Sequence, residues 1–393
     1  MSNYFKNIKN AFKLKHYVNY IGVGAVLLLF TVLYYVGALN RATPNLLIQI
    51  GYSIILAVSL NLVVGLLGEL SLGHAGFMCV GAYLGATVAN ALAGTLPLTL
   101  VLIISILAGG VSAAVFGFIV GLPALRLRGD YLAIVTLAFG EIVRNICKNL
   151  PFFGGAQGLQ SEFYTEYLKA GKRALPLFIP TFIAVLFMLF VVQNLIRSKH
   201  GRAITAIRDN EIAAKAMGVN VTYYKLFVFV VSAFFAGVAG VIYTGTTSPI
   251  QYSFFSYNYS IEILVMVVLG GMGSIGGSII SAILITYINF ALKSMLSGDM
   301  AAVKTLVYAL ILIVMVIYKN APALKNVREK FNLQNLKEKI MSKVFKVKSS
   351  ESDIRDDAGE WDEIPTKIIT DEVLSTDFNL TTYTPDKPDK NQK

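Results

Sequence analysis

The sequence is built from repeated apolar runs of about 20 residues, the length that an α-helix needs to cross the hydrocarbon core of a bilayer. Hydrophobic residues make up 55% of the chain and charged residues only 15%, against roughly 25% charged residues in soluble domains. The sequence therefore predicts an all-α membrane protein, a polytopic bundle of eight to ten transmembrane helices. The strong candidate spans are 21–39, 46–67, 98–121, 176–196, 223–246 and 302–319, and the weaker ones, richer in glycine or polar residues, are 72–92, 130–150, 259–270 and 277–292.

Basic residues collect at the ends of these runs, as they do in the cytoplasmic loops of membrane proteins. This placement explains the net charge of +11 without a nucleic-acid partner, which we do not expect. Ten spans, or eight if 259–292 forms a re-entrant pair, put every basic segment on one side. The segments predicted to be cytoplasmic are residues 1–20, Arg126 with Arg128, 197–215, and the chain after Lys319.

The domain organisation follows from the same pattern. Residues 1–20 form a basic cytoplasmic amino terminus, and residues 21–319 form a transmembrane domain whose first run is an uncleaved helix rather than a signal peptide. Residues 320–348 predict a basic amphipathic segment that lies on anionic lipid headgroups. Residues 349–393 are acidic and poor in aliphatic side chains, which predicts a disordered cytoplasmic tail.

The longest polar interruption between strong spans is residues 201–218, GRAITAIRDNEIAAKAMG. Its apolar residues approximate a helical stripe, small alanines permit close approach by another protein, and Gly218 suits a helix end. On periodicity alone this segment is either an amphipathic connection or a docking helix. The stripe consists of Ile204, Ile207, Ile212, Ala216 and Val219.

Four stretches together resemble one family, the branched-chain amino-acid permeases of the LivM type that belong to ABC importers. They are residues 201–218, SLNLVVGLLGELSLGHAGFMCVGAYLGA at 59–86, GDYLAIVTLAFGEIVRN at 129–145, and LVMVVLGGMGSIGGSIISA at 264–282. The resemblance covers about residues 45–320 in order. The generic coupling motif, Glu-Ala-Ala followed by three residues and Gly, fits here except that Ile212 separates Glu211 from Ala213.

The resemblance implies a permease subunit that moves leucine, isoleucine and valine across a bacterial cytoplasmic membrane. It also implies three kinds of protein partner: a second, homologous permease, two ATPase subunits and an extracytoplasmic binding protein. Membrane lipid is a further expected partner, through the basic segment 320–348. ATP would be bound by the ATPases, and this chain would need no cofactor, since it contains no GxxxxGK[ST] motif. The residues implied in ATPase coupling are Arg202, Arg208, Asp209, Glu211, Ala213, Ala214 and Gly218.

Two glycine motifs of one pattern, G-x-x-S-[LI]-G, interrupt hydrophobic stretches about 200 residues apart. The second also matches GxGxxG, but it lacks the acidic residue that a dinucleotide site needs further on. Paired interruptions favour an internal repeat with broken helices along a translocation pathway, and the alternative is close helix packing. The motif residues are Gly68, Ser71, Gly73, Gly271, Gly273, Ser274 and Gly276.

Charged and titratable residues within spans are the remaining pathway candidates, because each is costly in lipid. Glu141 and Arg144 are three residues apart on a helix, so they either neutralise each other structurally or serve translocation. Glu262 lies near the outer end of its span. His74 follows the first glycine motif and is more typical of a packing residue than of a metal ligand. The scattered cysteines and histidines predict neither a metal site nor a catalytic cluster.

Other functions remain open at this point. A urea or short-amide ABC permease would share the same motifs, and ribose-type permeases are more distant relatives. A secondary transporter or channel would need no ATPase and therefore no docking segment at 201–218. A membrane enzyme is disfavoured because no nucleophile–base arrangement occurs.

Overall fold

The computed structural model describes residues 18–36, 42–125, 130–170 and 177–295, together with positions 310 and 313. The predicted span 302–319, apart from those two positions, and the predicted segments 320–348 and 349–393 lie outside the described residues. So do Arg126, Arg128 and residues 1–17. The helices are α1 Val18–Val36, α2 Ala42–Asn61, α3 His74–Leu92, α4 Leu98–Ala124, α5 Asp130–Asn149, α6 Glu162–Ala170, α7 Phe178–Arg197, α8 Lys199–Asp209, α9 Glu211–Ala216, α10 Val221–Thr244, α11 Tyr257–Gly270 and α12 Ile275–Met295.

The all-α architecture is confirmed. Nine of the ten predicted apolar segments coincide with helices, and the described ranges contain no extended pairing beyond one bridge between Leu159 and Ile250. Six helices in these ranges are long and apolar enough to cross a membrane: α2 with its extension, α3, α4, α7, α10 and α12. Two more apolar helices, in α1 and α11, are shorter. The chain is a multi-pass membrane protein.

Helix α2 lies at the centre of the bundle and continues as a π-helical stretch, Leu62–Leu67. Of its most apolar window 94% is buried inside the chain, whereas the corresponding shares for α4 and α12 are both 33%. The outer helices present large apolar side chains to the surroundings, Leu107, Ile183 and Ile280 among them. An apolar perimeter of this kind is suited to lipid or to another membrane subunit.

Helix α10 connects the two ends of the bundle. It follows α9 directly, and its 24 residues correspond to about 36 Å of helix. We call the end that carries α8 and α9 the α9 end, and the other the opposite end. The polar features of the molecule collect at these two ends and in the seam between α2 and α12.

Candidate functional site

The predicted coupling segment folds as two helices rather than one. The hydroxyl of Ser198 caps α8 by accepting from Gly201 N, and the side chain of Asn210 caps α9 by accepting from Ala213 N at 3.0 Å. Between them the backbone at Asn210 is extended, with φ −158°. Gly218 follows α9 with φ +82°, which glycine adopts without strain.

The extended residue Asn210 also divides the predicted apolar stripe. Ile204 and Ile207 on α8 are buried, but Ile212 on α9 is 81% exposed. Ile212 therefore does not lie on the buried face that Ile204 and Ile207 share, although the sequence pattern places all three in one stripe. A helix that restarts after an extended residue does not keep the angular phase of the helix before it.

Helix α9 has an apolar outer face. Met217, directly after it, is 84% exposed, and Ala213 is exposed beside Ile212. Ala214 instead faces its own chain, with 5% exposure. A larger side chain at Ala214 would therefore disturb the chain's own packing, and Ala213 is the alanine available to a partner. Arg202 is exposed on α8 and approaches the carbonyl of Arg197 at 3.5 Å.

Lys225, in the first turns of α10, holds two carboxylates from separate segments. Its Nζ lies 2.6 Å from Glu69 Oε1 and 3.0 Å from Glu211 Oε2. Glu69 belongs to the first glycine motif and Glu211 to α9. The ammonium is buried, so this three-membered ion cluster is screened much less than a surface pair. It ties α9 to the first glycine interruption.

Arg208, near the end of α8, lies where the two glycine interruptions meet. Its guanidinium donates to the carbonyl oxygen of Gly65 at 3.1 Å and pairs with Asp209 at 3.0 Å. Its aliphatic stem occupies the space that a Cβ on Gly68 would fill. Gly68 has φ +82° and ends the π-helical stretch. Nη1 of Arg208 is also 3.9 Å from the position of a Cβ on Gly273.

The amide of Asn61 joins the two interruptions directly. Its Oδ1 accepts from Gly273 N at 2.8 Å, and its Nδ2 donates to Ser274 O at 3.1 Å and Ser278 Oγ at 3.0 Å. Gly271 and Gly273 both have positive φ, so the chain turns sharply between α11 and α12. The structure thus brings both interruptions together at the α9 end. The internal repeat stays a prediction.

The rest of the first glycine motif runs back into the bundle. Gly73 precedes α3, and a Cβ there would collide with the backbone of Thr136. His74 is buried, with Nε2 2.8 Å from Ser59 Oγ, an arrangement suited to a packing residue. Among the described residues, the buried hydroxyl of Ser71 finds no hydrogen-bond partner. Gly276 lies in the first turn of α12.

Glu141 and Arg144 form an ion pair within α5, with Nη2 2.6 Å from Oε2. The other carboxylate oxygen accepts from Tyr257 N at 3.2 Å, so the pair also fixes the start of α11. These contacts favour the structural alternative for the pair. Neither residue lies at the glycine interruptions.

A polar chamber of about 500 Å³ lies at the opposite end, between α2, α10, α11 and α12. Among the described residues that line it, Glu262 is the one with a charged side chain, and its Oε1 accepts from Asn289 Nδ2 at 3.1 Å. Glu262 is also the one predicted site residue among them. The other lining residues are Asn45, Gln49, Tyr52, Ser53, Tyr243, Thr246, Thr247, Phe254, Tyr259, Thr286 and Phe290.

Sequence reasoning missed three residues that complete these sites: Asn61, Lys225 and Met217. A lysine just inside an apolar span is a detectable signal, because a charge there requires a partner. Asn61 within a buried apolar helix is a signal of the same kind. Within the part of the chain that the structure describes, no three potential ligands cluster as a metal site.

The bundle of membrane-spanning helices, with the polar helices α8 and α9 at one end, has the architecture of a membrane permease component. Comparison with known proteins agrees. The family described as "Branched-chain amino acid transport system / permease component" matches residues 42–317. The chain belongs to this family. No solved structure matches it significantly.

Individual relatives of the chain are also permease proteins. The high-affinity branched-chain amino acid transport system permease protein LivM of Salmonella typhimurium is 38% identical over 262 residues, 59% of each chain. Its counterpart in Escherichia coli is 33% identical over 75% of this chain and 73% of its own. The ribose import permease protein of Haemophilus influenzae is 30% identical over 63% of this chain and 76% of its own length. The match thus spans about three fifths of the first protein and nearly three quarters of the second.

Proposed function

We propose that this chain is a translocating subunit of an ATP-driven importer for leucine, isoleucine and valine in a bacterial cytoplasmic membrane. Its partners are a homologous second permease, two ATPase subunits that bind the ATP, and an extracytoplasmic binding protein that delivers the amino acid. The chain has no catalytic role of its own. The substrate class is taken from the two LivM relatives, and the sugar permeases are the more distant matches.

The observation that carries the proposal is the connection between α9 and the bundle. Ile212 and Met217 project an apolar surface outward, as a docking surface for an ATPase requires. Behind that surface, Lys225 links Glu211 to Glu69. A push on α9 would therefore be transmitted to the first glycine interruption through charged contacts rather than through a flexible loop.

Arg208 supplies a second connection, between α8 and the π-helical extension of α2. Its guanidinium contacts both Asp209, the last residue of α8, and the carbonyl of Gly65. Asn61 then joins this region to Gly273 at the start of the α12 turn. A displacement at α8 and α9 would reach α2 and α12 together. Such a rigid linkage is what alternating access driven from outside the membrane needs.

The test is reconstitution of the assembled transporter, with its binding protein, in proteoliposomes. Ile212→Asp puts a charge into the docking surface and should release the ATPase and reduce leucine uptake at least about tenfold, since one buried unpaired charge costs several kcal/mol. Thr222→Asp is the matched control, because Thr222 is exposed at the same end but outside α9. Thr222→Asp should retain both the bound ATPase and leucine uptake.

Two results would contradict the proposal. Retention of bound ATPase and ATP-driven uptake by Ile212→Asp would make α9 a connector only. ATP-driven uptake of urea in preference to leucine would leave the ABC mechanism intact and change the substrate class.

A further inference from the structure

The chain's two cysteines, which are 68 positions apart in the sequence, are neighbours in the bundle. Cys79 lies on α3 and Cys147 on α5, and their Sγ atoms are in contact at 3.7 Å. Both thiols are free, and the two residues are 0% and 3% exposed. The structure thus pairs two nucleophilic groups at a place that the proposed function does not use.

Close packing between α3 and α5 holds the two thiols together. A Cβ on Gly73 would collide with the backbone of Thr136, and a Cβ on Gly76 would lie 2.6 Å from the Cα of Gly140. Small residues of this kind let membrane helices approach closely. The thiol contact lies further along both helices in the same seam, so the two backbones fix its position.

The paired thiols are suited to a disulfide rather than to a metal ion. Zinc sites in proteins use three or four side-chain ligands, and no group of three potential ligands occurs in the ranges that the structure describes. A disulfide needs only two sulfurs on neighbouring segments. Because the sulfurs are already in contact, rotation of the two side chains can bring them to bonding distance while the helices stay packed.

Cys147 is the thiol nearer to the surface of the bundle. Leu150, one turn beyond it, is 42% exposed, and Phe152 in the following loop is 67% exposed. A charged reagent is excluded from an apolar interior by the cost of losing its hydration. An oxidant of this pair must therefore be small and uncharged, and Cys147 is the first thiol that it meets.

We propose that Cys79 and Cys147 are a site of reversible disulfide formation that fastens α3 to α5, with a small disulfide as the oxidant. The deprotonated sulfur of Cys147 attacks the small disulfide, which releases one small thiol and leaves a mixed disulfide on Cys147. The sulfur of Cys79 then attacks the mixed disulfide and releases the second small thiol. The two cysteine protons end on the released thiols, the two cysteine sulfurs are oxidised, and the small disulfide is reduced.

The effect of this bond on transport rests on the proposed function. Helix α3 begins at the first glycine interruption, whose Glu69 is held by the same Lys225 that holds Glu211 on α9. A displacement of α9 would therefore reach the start of α3. A covalent bond from α3 to α5 would hold this helix pair in one arrangement, so we expect the oxidised transporter to work more slowly.

The assembled transporter in nanodiscs, treated with 2,2′-dithiodipyridine, tests the site. This reagent is a small uncharged disulfide that releases a coloured thiol when it reacts. We expect two molecules of coloured thiol for each copy of this chain, counted relative to a transporter with Cys79→Ala and Cys147→Ala. Mass spectrometry should find the peptides of Cys79 and Cys147 joined, and tris(2-carboxyethyl)phosphine should separate them.

Cys147→Ala alone is the matched control. It leaves one thiol in the seam, so at most one molecule of coloured thiol should be released and no joined peptides should form. The main measurement uses the unsubstituted chain and does not depend on how well this variant assembles.

Leucine uptake in proteoliposomes gives the second readout. The oxidised transporter should import leucine about tenfold more slowly, because the bond stabilises one arrangement of the helices. Reduction should restore the rate, and the reagent should leave uptake by Cys147→Ala unchanged.

Three results would overturn the inference: no release of coloured thiol, mixed disulfides at both cysteines without joined peptides, or normal uptake by the fully joined transporter. These results differ from a failure of the proposed function. If the reduced transporter imports no leucine, the import function is wrong, while the thiol release and the joined peptides still decide whether the disulfide site exists.

Discussion

At the scale of single residues, the charges inside this bundle differ in what they can do. The pair Glu141–Arg144 is neutralised within one helix. Lys225 on α10 instead pairs with Glu69, 156 residues away in sequence, and with Glu211 on α9, 14 residues away. An ion pair within one helix keeps its charges neutralised when helices move apart, whereas an ion cluster that spans segments must deform when they separate.

Loss of the Lys225 ammonium should therefore impair coupling and stability together. Lys225→Met keeps the side-chain length but leaves the partly buried carboxylate of Glu69 without its cation; removal of one partner from a buried pair commonly costs about 3–5 kcal/mol. Glu211 is 42% exposed and can be rehydrated, so we expect the lower part of that range. The measurements are the thermal midpoint of the purified transporter and the ratio of leucine imported to ATP hydrolysed.

A second substitution distinguishes charge from packing. Lys225→Met combined with Glu69→Gln removes the stranded charge and should restore most of the thermal midpoint, but not the transport ratio. If Lys225→Met alone imports leucine with the normal ATP ratio, the ion cluster does not transmit coupling.

At the scale of helices, apolar length predicted most elements, because a segment of about 20 apolar residues has few alternatives to a helix in lipid. Details that depend on the conformation of a single backbone residue were harder to predict from the sequence. Asn210 divides the coupling segment into α8 and α9, although an Asn N-cap with an acidic residue in the first turn, here Glu211, is a recognised helix-start signal. The meeting of the two glycine motifs could not be predicted, because nothing local to Gly68 or Gly273 reports a neighbour about 200 residues away.

The contact between those interruptions should not tolerate one added methyl group. A Cβ on Gly65 would overlap with the backbone of Gly273 and the amide of Asn61. Gly65→Ala should therefore separate α2 from the α12 turn, and overpacking of this kind costs about 1–3 kcal/mol. We expect a lower thermal midpoint and slower leucine uptake, with the chain still inserted in the membrane.

Gly24→Ala provides the matched control, because no atom lies within 4 Å of a Cβ built at Gly24 on α1. It should leave both measurements unchanged or slightly raise stability through helix propensity. Similar behaviour of the two variants would show that the contact at Gly65 is not required.

At the scale of the whole molecule, the two ends of the bundle differ in the polar side chains that they carry. The α9 end carries basic side chains, including Arg197, Lys199, Arg202 and Lys215, whereas the opposite end carries the Glu262 chamber and aromatic rings. An excess of Lys and Arg in short loops marks the cytoplasmic side. Under the proposed function, this asymmetry predicts that the α9 end faces the cytoplasm and that the polar chamber faces the outer side of the membrane.

This orientation predicts opposite accessibility at the two ends of α10. Thr222 is exposed in its first turn and Gln251 is exposed beyond its last, so one helix separates them. A membrane-impermeant maleimide should label Gln251→Cys in intact spheroplasts and Thr222→Cys only in inside-out vesicles. The unsubstituted chain is the control, since Cys79 and Cys147 are both buried. Labelling of Thr222→Cys from outside intact spheroplasts would invert the bundle and place α9 beyond the reach of any cytoplasmic ATPase.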